Sequence, residues 1–288
     1  MIDILVLNYN DAVTTTSFVE LVRLYSCVRK ILVVDNHSKD NSLESLKTLE
    51  HDKVIVVDSG ENKGYGAGNN FGIRYLNDFY HSEYILLSNP DVIVEEKVLI
   101  ELENFLINNI DYAIVAPFML NAKGIKEYNT AFRIPSKWEY ILSIDRLLSK
   151  IKGSFYYKNI KSETQNAKDV DSVTGSMFLM RTKDMLEYGM YDENIFLYCE
   201  ELILGIKMQN AQKKIALLPN LTFIHNHSIS ISKTYKSLVA KQRLFMCSKL
   251  YTIKHYYHAN FFEYFVAFIL SKLSIIEIFI IGLLRRYK

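Results

Sequence analysis

Asp91 follows Pro90 just where the apolar residues Tyr84, Ile85, Leu86 and Leu87 give way to Ser88 and Asn89. Proline biases the residue before it away from helix, so "YILLSNPDV" reads as a strand that exits into a turn. An acidic side chain is thereby presented at a strand's carboxyl end, where open α/β sheets bind their ligands. A turn aspartate capping a helix that begins near Glu95 explains this one stretch about as well. Three further loops weigh between the two readings. "NYND" follows the first predicted strand, "DNHSKDNS" the second and "GENKGYGAGNN" the third. Four successive strands thus deliver polar or glycine-rich loops to one edge of a sheet, the pattern of a nucleotide-binding edge.

The glycine loop excludes two nucleotide classes. "GYGAG" is not G-x-G-x-x-G, and it follows the third strand where a dinucleotide fold carries its fingerprint after the first. No G-x-x-x-x-G-K-S/T occurs either. Gly64, Gly66 and Gly68 offer close backbone approach, and Asn69 and Asn70 stand where a helix N-terminus favours an anion. An ordinary turn accounts for the glycines equally well.

Holding four such loops on one edge requires a particular set of elements. From residue 2 to residue 117 the runs "IDILVL", "KILVVD", "VIVVDS", "YILLSN" and "YAIVAP" alternate with helical patterns such as "SLESLKTLE", "NNFGIRYLNDF" and "EKVLIELENFL". Nearly continuous apolar strands in a βαβ series predict a parallel sheet covered on both faces. Residues 118–170 predict loops with one or two helices, and "VDSVTGSMFLMRT" predicts a strand pair, or one strand with a bulge at Gly175. No repeat or Pro/Gly-rich linker interrupts residues 1–231.

A chain of 288 residues can bury a sizeable core, and 34 basic against 32 acidic residues leave a net charge of only +2, which asks for no nucleic-acid partner. Cys27, Cys199 and Cys247 are scattered and form no C-x-x-C, so neither a disulfide framework nor a zinc site is indicated. "MIDILVLNYN" lacks a basic n-region and its apolar run is short for a signal peptide, so a cytoplasmic protein is expected. Beyond residue 231 the character changes. Lys233, Lys236, Lys241, Arg243, Lys249 and Lys254 stand among aromatics, and then an apolar stretch is interrupted by Glu263, Lys272 and Glu277. The run at residues 273–284 is short for a membrane span. A core-packed helix pair and a peripheral membrane dock both fit this tail.

Taken in order, "NYN", "VVDNHSKDNS", "ENKGYGAGNN", "LLSNPDV", "VTGSMFLMR", "GMYDENIFLYCEE" and "FIHNHSIS" resemble the family 2 glycosyltransferases, most of all the rhamnosyltransferase-like branch of bacterial surface-polysaccharide enzymes. The resemblance covers residues 1–231 and implies a GT-A fold: α/β, a mostly parallel central sheet with helices on both faces. Residues 232–288 form a C-terminal helical extension. It further implies an inverting transfer of a sugar from a nucleotide-diphosphate donor, uridine- or thymidine-linked, to a hydroxyl of a saccharide or lipid-linked saccharide.

Residue by residue, the resemblance implies that Asp35 reads the nucleobase edge. Tyr9 and Asn10 would line the base and ribose, and Asn62, Gly64, Gly68, Asn69 and Asn89 would lie along the ribose and diphosphate. "NPD" matches the family's D-x-D motif with Asn89 in place of the first carboxylate. Asp91 would ligate Mn or Mg, a hard cation that neutralises the departing diphosphate, and His225 would complete that site, with His227 as its neighbour. Glu201 matches the general base with Glu200 beside it, while Gly175, Ser176 and Asp192 fall on the acceptor side. Two departures stand out. Relatives carry Asp at the position of Glu201 and a further acidic residue at that of Ile203. A carboxylate on an acceptor hydroxyl serves from either stem, but an extra methylene shifts its oxygens by about an ångström, and such misplacement can cost about 100-fold in rate. Two rivals follow: a sugar nucleotidyltransferase, whose glycine signature belongs after the first strand where this chain has "NYND", and a nucleotide-sugar binder without turnover.

Overall fold

A computed structural model of the protein describes residues 1–145, 148, 154–157, 167–226 and 237–286. His227, Lys233, Lys236 and Lys288 lie outside these residues. Strands β1 (Ile2–Asn8), β2 (Val28–Asp35), β3 (Val54–Asp58) and β4 (Tyr84–Ser88) run parallel in the order β3-β2-β1-β4. Their apolar runs are continuous because successive side chains point to opposite faces and both faces are covered. Ile4, Val6, Ile31 and Val33 pack on one side with Phe18 and Val22 of α1 (Ala12–Val22), Leu46 of α2 (Ser42–Lys47) and Leu102 of α4 (Glu96–Asn108). Leu5, Leu32, Val34 and Ile85 pack on the other with Ile73 and Leu76 of α3 (Tyr65–Tyr80).

Beyond β4 the sheet is mixed. β10 (Met177–Arg181) lies antiparallel between β4 and β6 (Tyr112–Asn121), and β11 (Lys214–His225) then runs parallel to β6. Two edge strands finish this nine-stranded sheet on β11: β5 (Val92–Ile93) and β8 (Lys168–Val170), both antiparallel. "VDSVTGSMFLMRT" resolves into two strands that serve different sheets. β9 (Ser172–Val173) pairs with β7 (Ala131–Phe132) in a small sheet of its own, while β10 enters the main one. Gly175 therefore sits in a connection and not in a bulge.

The bulge lies elsewhere and has a cause. Neither Pro117 of β6 nor Pro219 of β11 has an N–H to give the ladder, and β11 shifts register there, between Leu218 and Thr222. After the shift β11 continues to His225, which reaches the same edge as the ends of β1, β2 and β4.

The extension completes a third core. Tyr140 and Ile141 of α5 (Lys137–Leu142), Leu202 and Ile206 of α6 (Glu200–Asn210), Met246 and Ile253 of α7 (Leu238–His255) and Ala267 of α8 (Phe261–Arg286) are buried together. α8 starts on a reciprocal cap in which Asn260 Oδ1 accepts from the Glu263 N–H at 3.0 Å and Glu263 Oε2 accepts from the Asn260 N–H at 2.8 Å. Its 26 residues form one helix, so the short apolar run seen in sequence belongs to a longer element. Among the described residues, Phe261–Leu284 is long and apolar enough to cross a membrane by length and composition.

Candidate active site

The pairing of β5 with β11 sets the first half of the site. Val92 is registered against His225 and Ile93 against Ile224. That places Asp91 at the end of β11, with its C=O accepting from the Asn226 N–H at 2.9 Å. His225 Nε2 lies 3.1 Å from Asp91 Oδ1, and both side chains are largely buried. A carboxylate oxygen and an imidazole nitrogen in contact suit Mn or Mg, provided other oxygens fill the remaining positions. Among the described residues no cluster of three or more His, Cys, Asp or Glu could hold a metal by itself. The pair therefore fits a cation shared with a diphosphate and water, and does not fit a closed structural metal site.

The second half is carried by the start of α6. Asn89 N–H donates to the Ser176 C=O at 2.8 Å, which ties the "NPD" turn to the loop before β10. In that loop the Gly175 N–H donates to Glu201 Oε1 at 3.1 Å, and the Gly175 C=O accepts from the Tyr65 hydroxyl at 2.8 Å. Gly175 thus connects Asp91's turn, the half-buried Glu201 and the first residue of α3. A side chain at Gly175 would meet Glu201 Oε1 and the Tyr65 hydroxyl at 3.1 Å, so the position has little room for one. Tyr65 was not visible as a site residue in the sequence. Burial, then the charges of Glu201 and Glu200, push its phenol well above the ordinary value, so it remains a donor.

Glu200 and Glu201 are neighbours in sequence with unlike surroundings. Glu200 is 6% exposed, and its Oε1 has no hydrogen-bond partner among the described residues. Burial, then the charge of Glu201, push its carboxyl up to about 8. Glu200 therefore holds its proton at neutral pH. An unfolded chain would ionise Glu200 near the ordinary 4.5, whereas the folded one keeps the proton until about pH 8. Between those values the unfolded state binds fewer protons, so this group's contribution should be complete at low pH and decline as pH rises from about 4.5 to 8. Urea unfolding across that window should show the decline in the wild type and a flatter profile in Glu200→Gln; equal slopes would remove the assignment.

The turn before α6 is strained and braced from the extension. Tyr198 and Cys199, neither a glycine, stand at φ 76° and 73°, conformations that cost about 1–3 kcal/mol each. Ser248 of α7 donates to the Leu197 C=O at 2.6 Å, the Tyr198 ring meets Phe245 edge-on at 5.3 Å, and Tyr140 hydrogen-bonds Cys199 Sγ at 3.2 Å. Asp192 accepts from the Tyr256 hydroxyl, just past the end of α7, at 2.8 Å and from the Asn194 N–H at 3.0 Å. Its role is to fasten the extension to this loop. Ile203, where the family resemblance implies an acid, is buried at 2% exposure.

The donor-side loops are tied together within the protein. At Gly64, Gly66 and Gly68 the space a side chain would take is filled by protein. A Cβ at Gly64 would lie 2.1 Å from the Phe196 C=O oxygen, one at Gly66 2.8 Å from Tyr191 Cβ, and one at Gly68 2.6 Å from Leu7 Cδ1. Gly64 also has φ +106°, a region closed to most side chains. Asn69 is buried and its side chain donates to the Tyr65 C=O at 3.0 Å, inside the helix. Asp35 is fully buried, with Oδ1 accepting from Asn8 and from the Ser38 hydroxyl, each at 2.7 Å, and Oδ2 from the Ser38 N–H at 2.8 Å. It ties the first two loops together from below and does not lie open on the edge. Asn10, at φ 53°, joins the same tie, since its N–H donates to Ser38 Oγ and its Oδ1 accepts from the Lys39 N–H, both at 2.8 Å. Tyr9 is half-buried beside it, and Asn62 Oδ1 accepts from Asn36 at 3.2 Å and from the Gly64 N–H at 3.0 Å. Ser176 is buried and hydrogen-bonds Thr174 at 2.9 Å. Asn8 and Ser38 were missed as organisers. Their signal lay in the strand ends, since Asn8 and Asp35 are register partners.

Solved structures share this fold. The chain superposes on GalNAc-T7, determined with UDP, GalNAc and Mn2+, with a TM-score of 0.61 at 11% identity over 94% of this chain. It spans 57% of that protein's chain. On the mannosyltransferase PcManGT of Pyrobaculum calidifontis, determined with GDP-Man and Mn2+, the TM-score is 0.56 at 10% identity over 95% of this chain and 73% of the other. The fold is that of the GT-A glycosyltransferases. Residues 3–185 match the Glycosyl transferase family 2 model, and the chain belongs to that family. Its relatives include the low-salt glycan biosynthesis hexosyltransferase Agl10 of Haloferax volcanii, 28% identical over 228 residues that make up 79% of this chain and 68% of that protein. Another is the rhamnosyltransferase WbbL of Escherichia coli K12, 28% identical over 201 residues, 68% of this chain and 72% of the other.

Proposed function

We propose that the protein is an inverting, metal-assisted glycosyltransferase that moves a hexosyl or deoxyhexosyl group from a nucleotide-diphosphate sugar to a hydroxyl of a saccharide or lipid-linked saccharide, in the cytoplasm, for a surface polysaccharide. One observation carries this reading: the Asp91–His225 pair and the Glu201 carboxylate are tied into one edge through Asn89, Ser176 and Gly175. A divalent cation held by Asp91 and His225 would offset the charge gathering on the diphosphate as it leaves. Glu201, steadied by the Gly175 N–H, takes the proton from the acceptor hydroxyl as that oxygen attacks the anomeric carbon from the face opposite the diphosphate. The C–O bond to the acceptor forms, the bond to the diphosphate oxygen breaks, and configuration inverts. Glu200 remains protonated behind it and does not compete for the acceptor's proton. In this reading residues 1–231 are the catalytic domain and residues 232–288 brace it.

The test is a screen of uridine, thymidine and guanosine diphosphate sugars with Mn2+ and purified full-length protein. Release of nucleoside diphosphate is expected. Release of pyrophosphate in a parallel assay supplied with nucleoside triphosphate and sugar 1-phosphate would mark a nucleotidyltransferase, and binding of a nucleotide sugar without turnover in either assay would mark a sugar-nucleotide binder; both would overturn the proposal.

A further inference from the structure

Helix α8 carries small and polar residues at its most buried positions, flanked by Tyr264, Val266, Leu270 and Ile275 that pack on the third core, and it is also apolar on the side turned away from the protein. Its inner side carries Glu263, held by Lys137 at 2.9 Å, then Ala267, Ser271 and Ser274, the last accepting from Gln242 of α7 at 2.8 Å; all four are buried. Its outer side presents Phe262, Phe265, Ile269, Ile276, Phe279 and Ile280, each 44–64% exposed. At 3.6 residues per turn these six positions fall within roughly 100° of the helix circumference. Lys272 also points outward, and its Nζ sits over the Phe268 ring at 4.7 Å, so the stem follows the apolar surface. Of the three charges that interrupt the apolar run, Glu263 is turned inward into an ion pair, Lys272 lies outward along an aromatic ring, and Glu277 is half-buried.

A helix packed on a protein in water keeps its apolar stripe inward and turns charged and polar residues outward, whereas α8 is apolar outward as well. An apolar face of this length marks a surface that something nonpolar covers. Charge decides between the candidates. Residues 232–288 hold ten Lys and Arg against two Glu, a formal +8, whereas residues 1–231 hold 24 against 30, a formal −6. A second copy would set one cationic segment against another, while an anionic bilayer offers both hydrocarbon and the opposite charge. We propose that the outer face of α8 seats on an anionic phospholipid bilayer. The helix lies in the interface instead of crossing it, because its inner side is closed by α5 and α7. This goes beyond the transfer reading and does not rest on it, since lipid binding is measured with no sugar donor present.

The test is flotation of the full chain with vesicles of phosphatidylglycerol in phosphatidylcholine. The wild type should float with these vesicles, with the bound fraction falling about tenfold on pure phosphatidylcholine or at high salt. The triple variant Phe265→Asp, Ile269→Asp, Ile276→Asp changes only outward side chains and should keep the wild-type circular dichroism and melting while losing flotation by about tenfold. If the triple variant fails to fold, the anionic-against-neutral comparison on the wild type still decides. The proposal is overturned by a wild type that stays at the bottom of the gradient with anionic vesicles. It is equally overturned by a folded triple variant that floats undiminished, or by a wild-type dimer in light scattering that the triple variant disperses.

Discussion

Glu201→Gln should bind donor as the wild type does and transfer about 10²- to 10⁴-fold more slowly, the range for loss of a positioned general base. The amide keeps the size of the side chain and can still accept from the Gly175 N–H, so the loop that also fixes Asn89 and Tyr65 is left intact. What it cannot do is take the acceptor's proton. The loss should therefore fall on kcat, with the donor dissociation constant unchanged by calorimetry. Glu200→Gln is the informative companion. Glu200 already holds a proton at neutral pH, so an amide there resembles the native state and transfer should stay within a few-fold of wild type. If Glu200→Gln abolishes transfer and Glu201→Gln does not, the base is one residue earlier than assigned.

Asp91→Asn should act at the other end of the reaction. It removes one formal charge beside His225 while preserving shape, so Mn-dependent binding of a nucleoside diphosphate should weaken by about tenfold to a hundredfold, the scale of one charge-assisted contact of roughly 1.5–3 kcal/mol. Transfer should fall with it. His225→Ala should give the same pattern, because the two side chains touch and would share the cation. Calorimetry run with Mn2+ and with chelator separates this from a folding defect: binding without metal should be weak in all three proteins and alike among them. Equal Mn-dependent affinity in Asp91→Asn and wild type would leave Asp91 as the turn residue that the local sequence equally allowed. The two experiments divide the site, since one variant loses turnover and keeps donor, and the other loses both.

The sequence by itself determined the layered half of this protein. Alternating runs from Ile2 to Ser88 specify strands buried on both faces and helices between them, because side-chain direction in a strand and a helix follows local backbone geometry. The ordered loops likewise announced the ligand edge and the family. What pairs with what was decided only in three dimensions. The insertion of β10 against the direction of its neighbours, and the β5–β11 register that brings His225 to Asp91, join segments far apart in the chain, and no local period encodes such partners. The glycines of "GYGAG" show the same limit: their lack of a Cβ was legible, but whether a ligand or Phe196, Tyr191 and Leu7 filled the space depended on the packed neighbours. Asp35 was legible as the acid at a strand end, whereas its ties to Ser38 and Asn8 depend on loops brought together by the fold. In the extension, composition showed an apolar helix, while the side of it that meets the protein was decided by where Lys137, Gln242 and the third core stand. Burial is a property of pairs of surfaces, and a sequence states only one of them at a time.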